Sequence, residues 1–294
     1  MHNFVLTTDT SCDVFRTELD EKGVPWIPLS FTIDEISYDD DFSSDDRYVD
    51  FYDKIRAGKM PTTSQINVFN HEEFFEKTVL GGAKNIIHLT LSGGLSNTVN
   101  CARTAAENVM QKYPDCKIYI LDTISATQGH RLILDKAIEL RNSGEEAESA
   151  FATLKEFAGR VHHWIVVDDL MHLKRGGRVS GASAYIGSLL NIKPVLIIND
   201  KGKLAVVKKA KGTHKAYGYV IDMIKEHAVD TQNLVVYLAN ASADDKVKEM
   251  SELLKENFPT CEIKVGWIGP VIGAHTGAGT LGIVFESKGR LGNE

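Results

Sequence analysis

The sequence predicts an α/β protein in two parts. An N-terminal, Rossmann-like parallel-sheet domain would take residues 1–160, and a C-terminal α+β domain with a largely antiparallel sheet residues 161–294. Three observations carry this. At 294 residues the chain exceeds the size at which single cores stop growing, about 250 residues. In the first half, short apolar runs alternate with amphipathic stretches; beyond Trp164 the apolar runs come in hairpin-like succession.

Taken in order, FVLTTD from Phe4, IIHLTL from Ile86 and KIYILD from Lys117 read as buried parallel strands, apolar almost without alternation. Hydroxyl- or glycine-rich turns follow them. Helices are expected around Asn97 to Lys112, around Thr127 to Ser143, and from Gly144 to near Gly159. In such sheets the loops at the carboxyl ends of the strands converge on a ligand crevice. Asp9-Thr10-Ser11, Ser92 to Ser96 and Asp122-Thr123 are therefore candidate walls. The acidic segment from Asp34 to Asp53 reads as a surface excursion. In the second half, VLIIND and GKLAVVKKA face each other across Asn199 to Gly202, a turn that implies antiparallel neighbours. LVVYLAN and EIKVGWIG follow, interleaved with helices at Thr213 to Glu226 and Ala243 to Glu256.

Composition narrows the class. With 43% hydrophobic and 25% charged residues the chain can bury a sizeable core. A net charge of −7 favours solubility and argues against general nucleic-acid binding. Cys12, Cys101, Cys116 and Cys261 lie far apart with no CxxC pair, the pattern of reduced thiols. No apolar run approaches the ~18–20 residues of a membrane span, and the start carries no signal-peptide pattern, so a cytoplasmic location is expected.

Four motifs have both an ordinary and a functional reading. Thr62-Thr63-Ser64-Gln65 precedes a helical stretch, where hydroxyls commonly cap free amides. Leu91 to Thr98 (LSGGLSNT) is a glycine turn opening a helix, an arrangement that also seats anions. It nearly spells a hydrolase elbow, but Thr98 stands where the second glycine belongs. A serine hydrolase using Ser96 or Ser92, with His275 and Asp9 or Asp122, is the alternative enzymatic reading. Gly277 to Gly282 formally matches a dinucleotide fingerprint, yet a strand-like LGIVF follows in place of a helix. His275 beside it is either a structural histidine or part of a site. The basic residues Lys174, Arg175, Arg178, Lys208, Lys209, Lys211 and Lys215 make either a solvated face or a surface for an acidic partner.

Two apparent metal patterns fail. Asp39, Asp41, Ser43, Asp45 and Asp50 are spaced like a calcium loop, but Ser44 replaces the turn glycine and position twelve lacks Glu. The adjacent His162 and His163 point to opposite faces of a strand. No metal site is expected.

Jointly, TTDTSCDV (Thr7–Val14), PTTSQ (Pro61–Gln65), LTLSGGLSNT (Leu89–Thr98), LDTISATQG (Leu121–Gly129), the Lys174–Lys215 stretch and GPVIGAHTGAGTLGIVF (Gly269–Phe285) resemble one family across nearly the whole chain. That family is DegV, whose characterised members include the fatty-acid-binding subunit of bacterial fatty acid kinase. The resemblance implies a two-domain DegV-like fold with a lipid tunnel between the domains, lined by residues such as Ile186, Leu189, Leu190 and Ile192. It implies Thr63, Ser96 and His275 as ligands of a fatty-acid carboxylate, with Ser92, Gly94 and Asn97 in the neighbouring turn. Asn97 stands in place of the family's usual glycine and Val99 in place of its tyrosine. Arg178 would serve the docking of an ATP-dependent kinase subunit, as would Lys211, which replaces the family's arginine and lacks its planar fork. The implied ligand is a palmitate- or oleate-like fatty acid, with no cofactor, no catalytic residue, no nucleic acid and no stable membrane insertion. On this reading the protein presents a fatty acid for acyl-phosphate formation that feeds phospholipid synthesis.

Overall fold

The computed structural model describes residues 2–41, 45–178 and 192–291. In chain order, β1 (Val5–Asp9) passes through a 3-10 turn at Thr10–Cys12 to α1 (Arg16–Glu21), β2 (Trp26–Ile27), β3 (Ser30–Ile33) and β4 (Ile36–Asp39). Then come α2 (Asp45–Arg56), β5 (Thr62–Ser64), α3 (Val68–Leu80), β6 (Asn85–Thr90), α4 (Thr98–Lys112) and β7 (Lys117–Asp122). Helices α5 (Thr127–Asn142) and α6 (Ala147–Ala158) lead to β8 (Val161–Val166) and α7 (Leu170–Arg175). The chain continues through β9 (Ile192–Ile198), β10 (Leu204–Lys211), α8 (Thr213–His227), β11 (Val235–Asn240) and α9 (Asp244–Asn257). It closes with β12 (Glu262–Trp267), α10 (Pro270–Thr276) and β13 (Leu281–Glu286).

The parallel sheet has the order β2-β1-β6-β7. Its strands read as unbroken apolar runs because both faces are covered. Alternate residues of β6 divide between two cores: Ile86 joins Phe75, Ala102 and Ile118 under α3 and α4, whereas Ile87 and Leu89 join Leu6, Leu121 and Ile133 under α5 and α6. The expected mixed sheet has the order β10-β9-β8-β13-β11-β12, antiparallel except for β11 beside β12. Helices α8 and α9 cover one face through Tyr217, Val220, Met250 and Leu254. Helix α5 serves both sheets: its Ile133, Leu134 and Ala137 share one cluster with Leu6 of β1 and with Tyr237 and Val284 of the second sheet. All four cysteines are free and buried.

The acidic stretch corrects the expectation of a surface excursion. Strand β3 pairs antiparallel with both β4 and β5, and α2 buries Tyr48, Phe51, Tyr52 and Ile55. Those four positions fall on one helical stripe, which the count of carboxylates obscured. Tyr52 donates to the Ile268 carbonyl at 2.6 Å and so fastens this layer to the segment before α10. Residues 179–191, Ile186, Leu189 and Leu190 among them, lie outside the described residues. Ile192 opens β9, half-buried.

Candidate ligand cleft

The carboxyl ends of the parallel strands are held by backbone-directed carboxylates. Asp9, at the end of β1, accepts from the Leu91 amide at 2.7 Å and from Ser11 N and Oγ at 2.9 and 2.5 Å. Burial pushes its carboxyl up to about 6, even though these hydrogen bonds pull it down. Ser11 Oγ also meets His130 Nδ1 at 3.0 Å, and the other ring nitrogen meets Thr8 Oγ1 at 3.0 Å. Asp122, at the end of β7, accepts from the amides of Gly93 and Ile124 at 3.1 and 2.9 Å. Both expected wall aspartates thus shape the β6–α4 loop.

That loop is clamped from the other side by the β9–β10 turn. Ser92 Oγ donates to the Gly202 carbonyl at 2.8 Å, and a Cβ on Gly94 would lie 2.4 Å from Gly202 backbone atoms. Ser92 and Gly94 are therefore docking residues of the turn, outside the cleft wall. Ser96 and Asn97, just beyond the clamp, do reach the cleft. Ser96 Oγ shares a hydrogen with Thr98 Oγ1 at 2.8 Å and accepts from the Thr98 amide at 3.3 Å.

The cleft has a volume of about 330 Å³, at the lower end of the roughly 300–1,000 Å³ usual for small-molecule sites. Thr63 from β5, Ser96 from the β6–α4 loop, His275 from α10 and Arg178 after α7 line one cavity, although 212 residues separate Thr63 from His275. Leu29, Leu91, Leu95, Leu204, Val271 and Ile272 make its apolar wall. Among the polar lining, sequence reasoning did not single out Gln65 or Thr276 as contacts, though both lie inside quoted motifs. Leu29 and Leu204 had no signal, because an apolar residue facing a cleft looks like any core residue. Lys211 ends β10, exposed, and is not part of the lining.

His275 has a fixed orientation. Its Nδ1 lies 3.1 Å from the Gly176 carbonyl and its Nε2 lies 2.8 Å from Thr63 Oγ1. Gly176 must be glycine, since a Cβ there would come within 2.8 Å of Nδ1. Arg178 Nη1 donates to the same carbonyl at 2.8 Å. His172 holds α7 to α10 through the Ala274 carbonyl at 2.9 Å. Burial lowers the His275 ring to about 4, helped by the adjacent Arg178 charge and opposed by the bond to Gly176. A serine–histidine–acid relay is not formed by these groups: Ser96 engages Thr98, Ser92 engages Gly202, and His275 Nδ1 faces a carbonyl. Among the described residues, no group of three or more His, Cys, Asp or Glu side chains is placed to hold a metal ion. No helix there is long and apolar enough to cross a membrane.

An apolar wall closing on hydroxyls, an imidazole and a guanidinium defines an α/β protein suited to an amphiphilic anion. The chain belongs to the DegV family: the family model described as an uncharacterised DegV family protein matches residues 3–288. A DegV domain-containing protein of Clostridium perfringens is 35% identical over 97% of this chain and 98% of its own length. The solved structure of a DegV family protein from Thermus thermophilus, described by its fatty acid binding, superposes with a TM-score of 0.85 at 30% identity, covering 98% of this chain and 100% of that one. The crystal structure of DegV from Bacillus subtilis, described as a fatty acid binding protein, gives 0.84 at 28% identity with the same coverage.

Proposed function

We propose that this protein binds a long-chain fatty acid in the cleft and presents its carboxylate to a separate ATP-dependent kinase subunit, without turnover of its own. The observation that carries the reading is that Thr63, Ser96, His275 and Arg178 line the same cavity as Leu29, Leu91, Leu95 and Leu204. The family relatives described as fatty acid binders support it. Energetically, each buried methylene contributes about 0.8 kcal/mol, so a sixteen-carbon tail supplies roughly 10 kcal/mol before association costs. The carboxylate fixes orientation: hydroxyl donors and a nearby guanidinium satisfy it without leaving a buried charge unpaired. Division into residues 1–160 and 161–294, with the cleft between them, is part of the same proposal, as is a cytoplasmic site of action.

Arg178 is exposed at the rim, with Lys174 and Arg175 exposed at the end of α7 before it. That placement supports a docking or phosphoryl-stabilising role at the mouth. Organic extraction of the purified protein followed by mass spectrometry tests the ligand: a fatty acid is expected, and a clean extract with no uptake of added palmitate or oleate overturns the reading. Arg178→Ala is expected to retain lipid yet support little acyl-phosphate formation with a cognate kinase subunit and ATP. Arg178→Lys, which keeps charge without the planar fork, should fall between the two. Wild-type phosphorylation in the alanine variant makes Arg178 a plain turn residue.

A further inference from the structure

A proton count at the Thr63–His275 pair does not balance for an incoming carboxylate. A carbonyl oxygen only accepts, so the Gly176 contact places a hydrogen on His275 Nδ1. In the neutral ring Nε2 is then a lone pair, and the 2.8 Å contact is made by the Thr63 hydroxyl donating to it. The hydroxyl has a single proton, so Thr63 turns only lone pairs toward the cavity. The opposite tautomer would set the Nδ1 lone pair against the Gly176 oxygen at 3.1 Å, two acceptors face to face. At this pair a carboxylate meets acceptors, and the donors left to it in the lining are those of Ser96 and Arg178.

One added proton resolves this. With both ring nitrogens protonated, Nδ1 still donates to Gly176 and Nε2 donates to Thr63 Oγ1. The Thr63 proton is released to point at the ligand. We propose, resting on the fatty-acid reading above, that binding of a fatty carboxylate takes up one proton from solvent onto the Thr63–His275 pair, with the Gly176 carbonyl acting as the lock that makes the uptake necessary.

The surroundings agree. Helix α7 brings His172, whose Nε2 is bonded to the Ala274 carbonyl, and Arg178 follows it. Strands β3 and β5 bring Phe31 and hydroxyls, and α2 brings Tyr52, whose proton goes to Ile268. The charged or titratable groups acting on the ring, Arg178 and His172, both disfavour its protonation, so the empty site stays neutral at pH 7. The arriving carboxylate supplies a counter-charge for the protonated ring, and the two form a neutral pair beside Arg178.

The test is calorimetric titration of dodecanoate, below its micelle concentration, into delipidated protein at pH 7.5 in phosphate and in Tris. The two buffers differ in ionisation enthalpy. The expected result is uptake of about one proton per ligand and affinity that weakens about tenfold per pH unit from roughly pH 6.5 to 8.5. His275→Gln, able to donate to Thr63 without titrating, should bind with affinity independent of pH. If that variant does not fold, the two-buffer comparison on the wild type decides alone. Equal heats in both buffers with a flat affinity profile overturn the proton uptake and leave the fatty-acid reading standing. Absence of any dodecanoate binding removes both.

Discussion

Two hydroxyl–histidine pairs in this molecule use the same chemistry for opposite ends. Around His130, Thr8 and Ser11 take both ring nitrogens, Asp9 takes the Ser11 proton, and all four residues are fully buried. Around His275, Thr63 and Gly176 also occupy both nitrogens, but Thr63 borders a cavity. The first network is closed and ends in the backbone amide of Leu91, so it sets the shape of the β6–α4 loop. The second is open on one side. Residue type alone does not separate them; what separates them is whether the hydroxyl faces protein or space.

The largest expected effect tests what the two rings have in common. Burial lowers His71, His88, His130, His162, His163 and His275 below the ordinary 6.5. Their unfolded forms therefore take protons first. The stability they contribute is complete above pH 6.5 and is lost as the pH falls toward the folded values, about 3 for His130 and about 4 for His275. Asp9 and Asp13 work the other way: burial raises both carboxyls, Asp9 to about 6, so they return stability as the pH falls through their folded values toward 3.8. Each histidine loses roughly 1 kcal/mol between pH 7 and 5.5, so the sum is several kcal/mol. Urea unfolding at the two pH values measures it, and equal midpoints would contradict the neutral burial of these rings.

Asp9→Ala addresses the closed network directly. It strands the Ser11 and Leu91 donors and should cost roughly 3–5 kcal/mol in urea unfolding, with ligand affinity falling as the loop loosens. Unchanged stability would mean that the network is incidental.

How much of this was legible in the sequence follows from the same distinction. The parallel strands, the β9–β10 hairpin and the helices over both sheets announced themselves through periodicity, because burial on two faces or one leaves a period in the residues. The three-stranded layer of β3, β4 and β5 did not, since α2 and β4 lie within a carboxylate-rich stretch whose apolar stripe is only four residues wide. Thr63, Ser96 and His275 were identified through family motifs, and the fold brings them to one cavity. Their hydrogen-bond directions were illegible, because the lock on His275 comes from a backbone carbonyl, which has no sequence signature beyond the glycine that lets it approach. Ser92 shows the converse: a hydroxyl inside the motif that the β9–β10 turn had already engaged.

A paired substitution sharpens the contrast between the two histidines. His130→Ala should lower stability by roughly 2–3 kcal/mol while the folded fraction keeps most of its fatty-acid affinity. His275→Ala should lower stability by about 1 kcal/mol or less and weaken binding at least tenfold. Thermal unfolding and ligand titration on both proteins check it; the same profile for both would erase the distinction between closed and open pairs.

The claim that a fatty carboxylate sits on Thr63, Ser96 and His275 is tested most directly by carbon NMR of carboxyl-labelled dodecanoate bound to the delipidated protein. The account predicts one bound carboxyl resonance, distinct from the free ligand, that moves in Thr63→Val and in Ser96→Ala. Loss of the Ser96 hydrogen bond to a charged group should also weaken binding by roughly 1.5–3 kcal/mol. A bound resonance at the same position and affinity in wild type and in both variants would contradict it, and would place the carboxylate elsewhere.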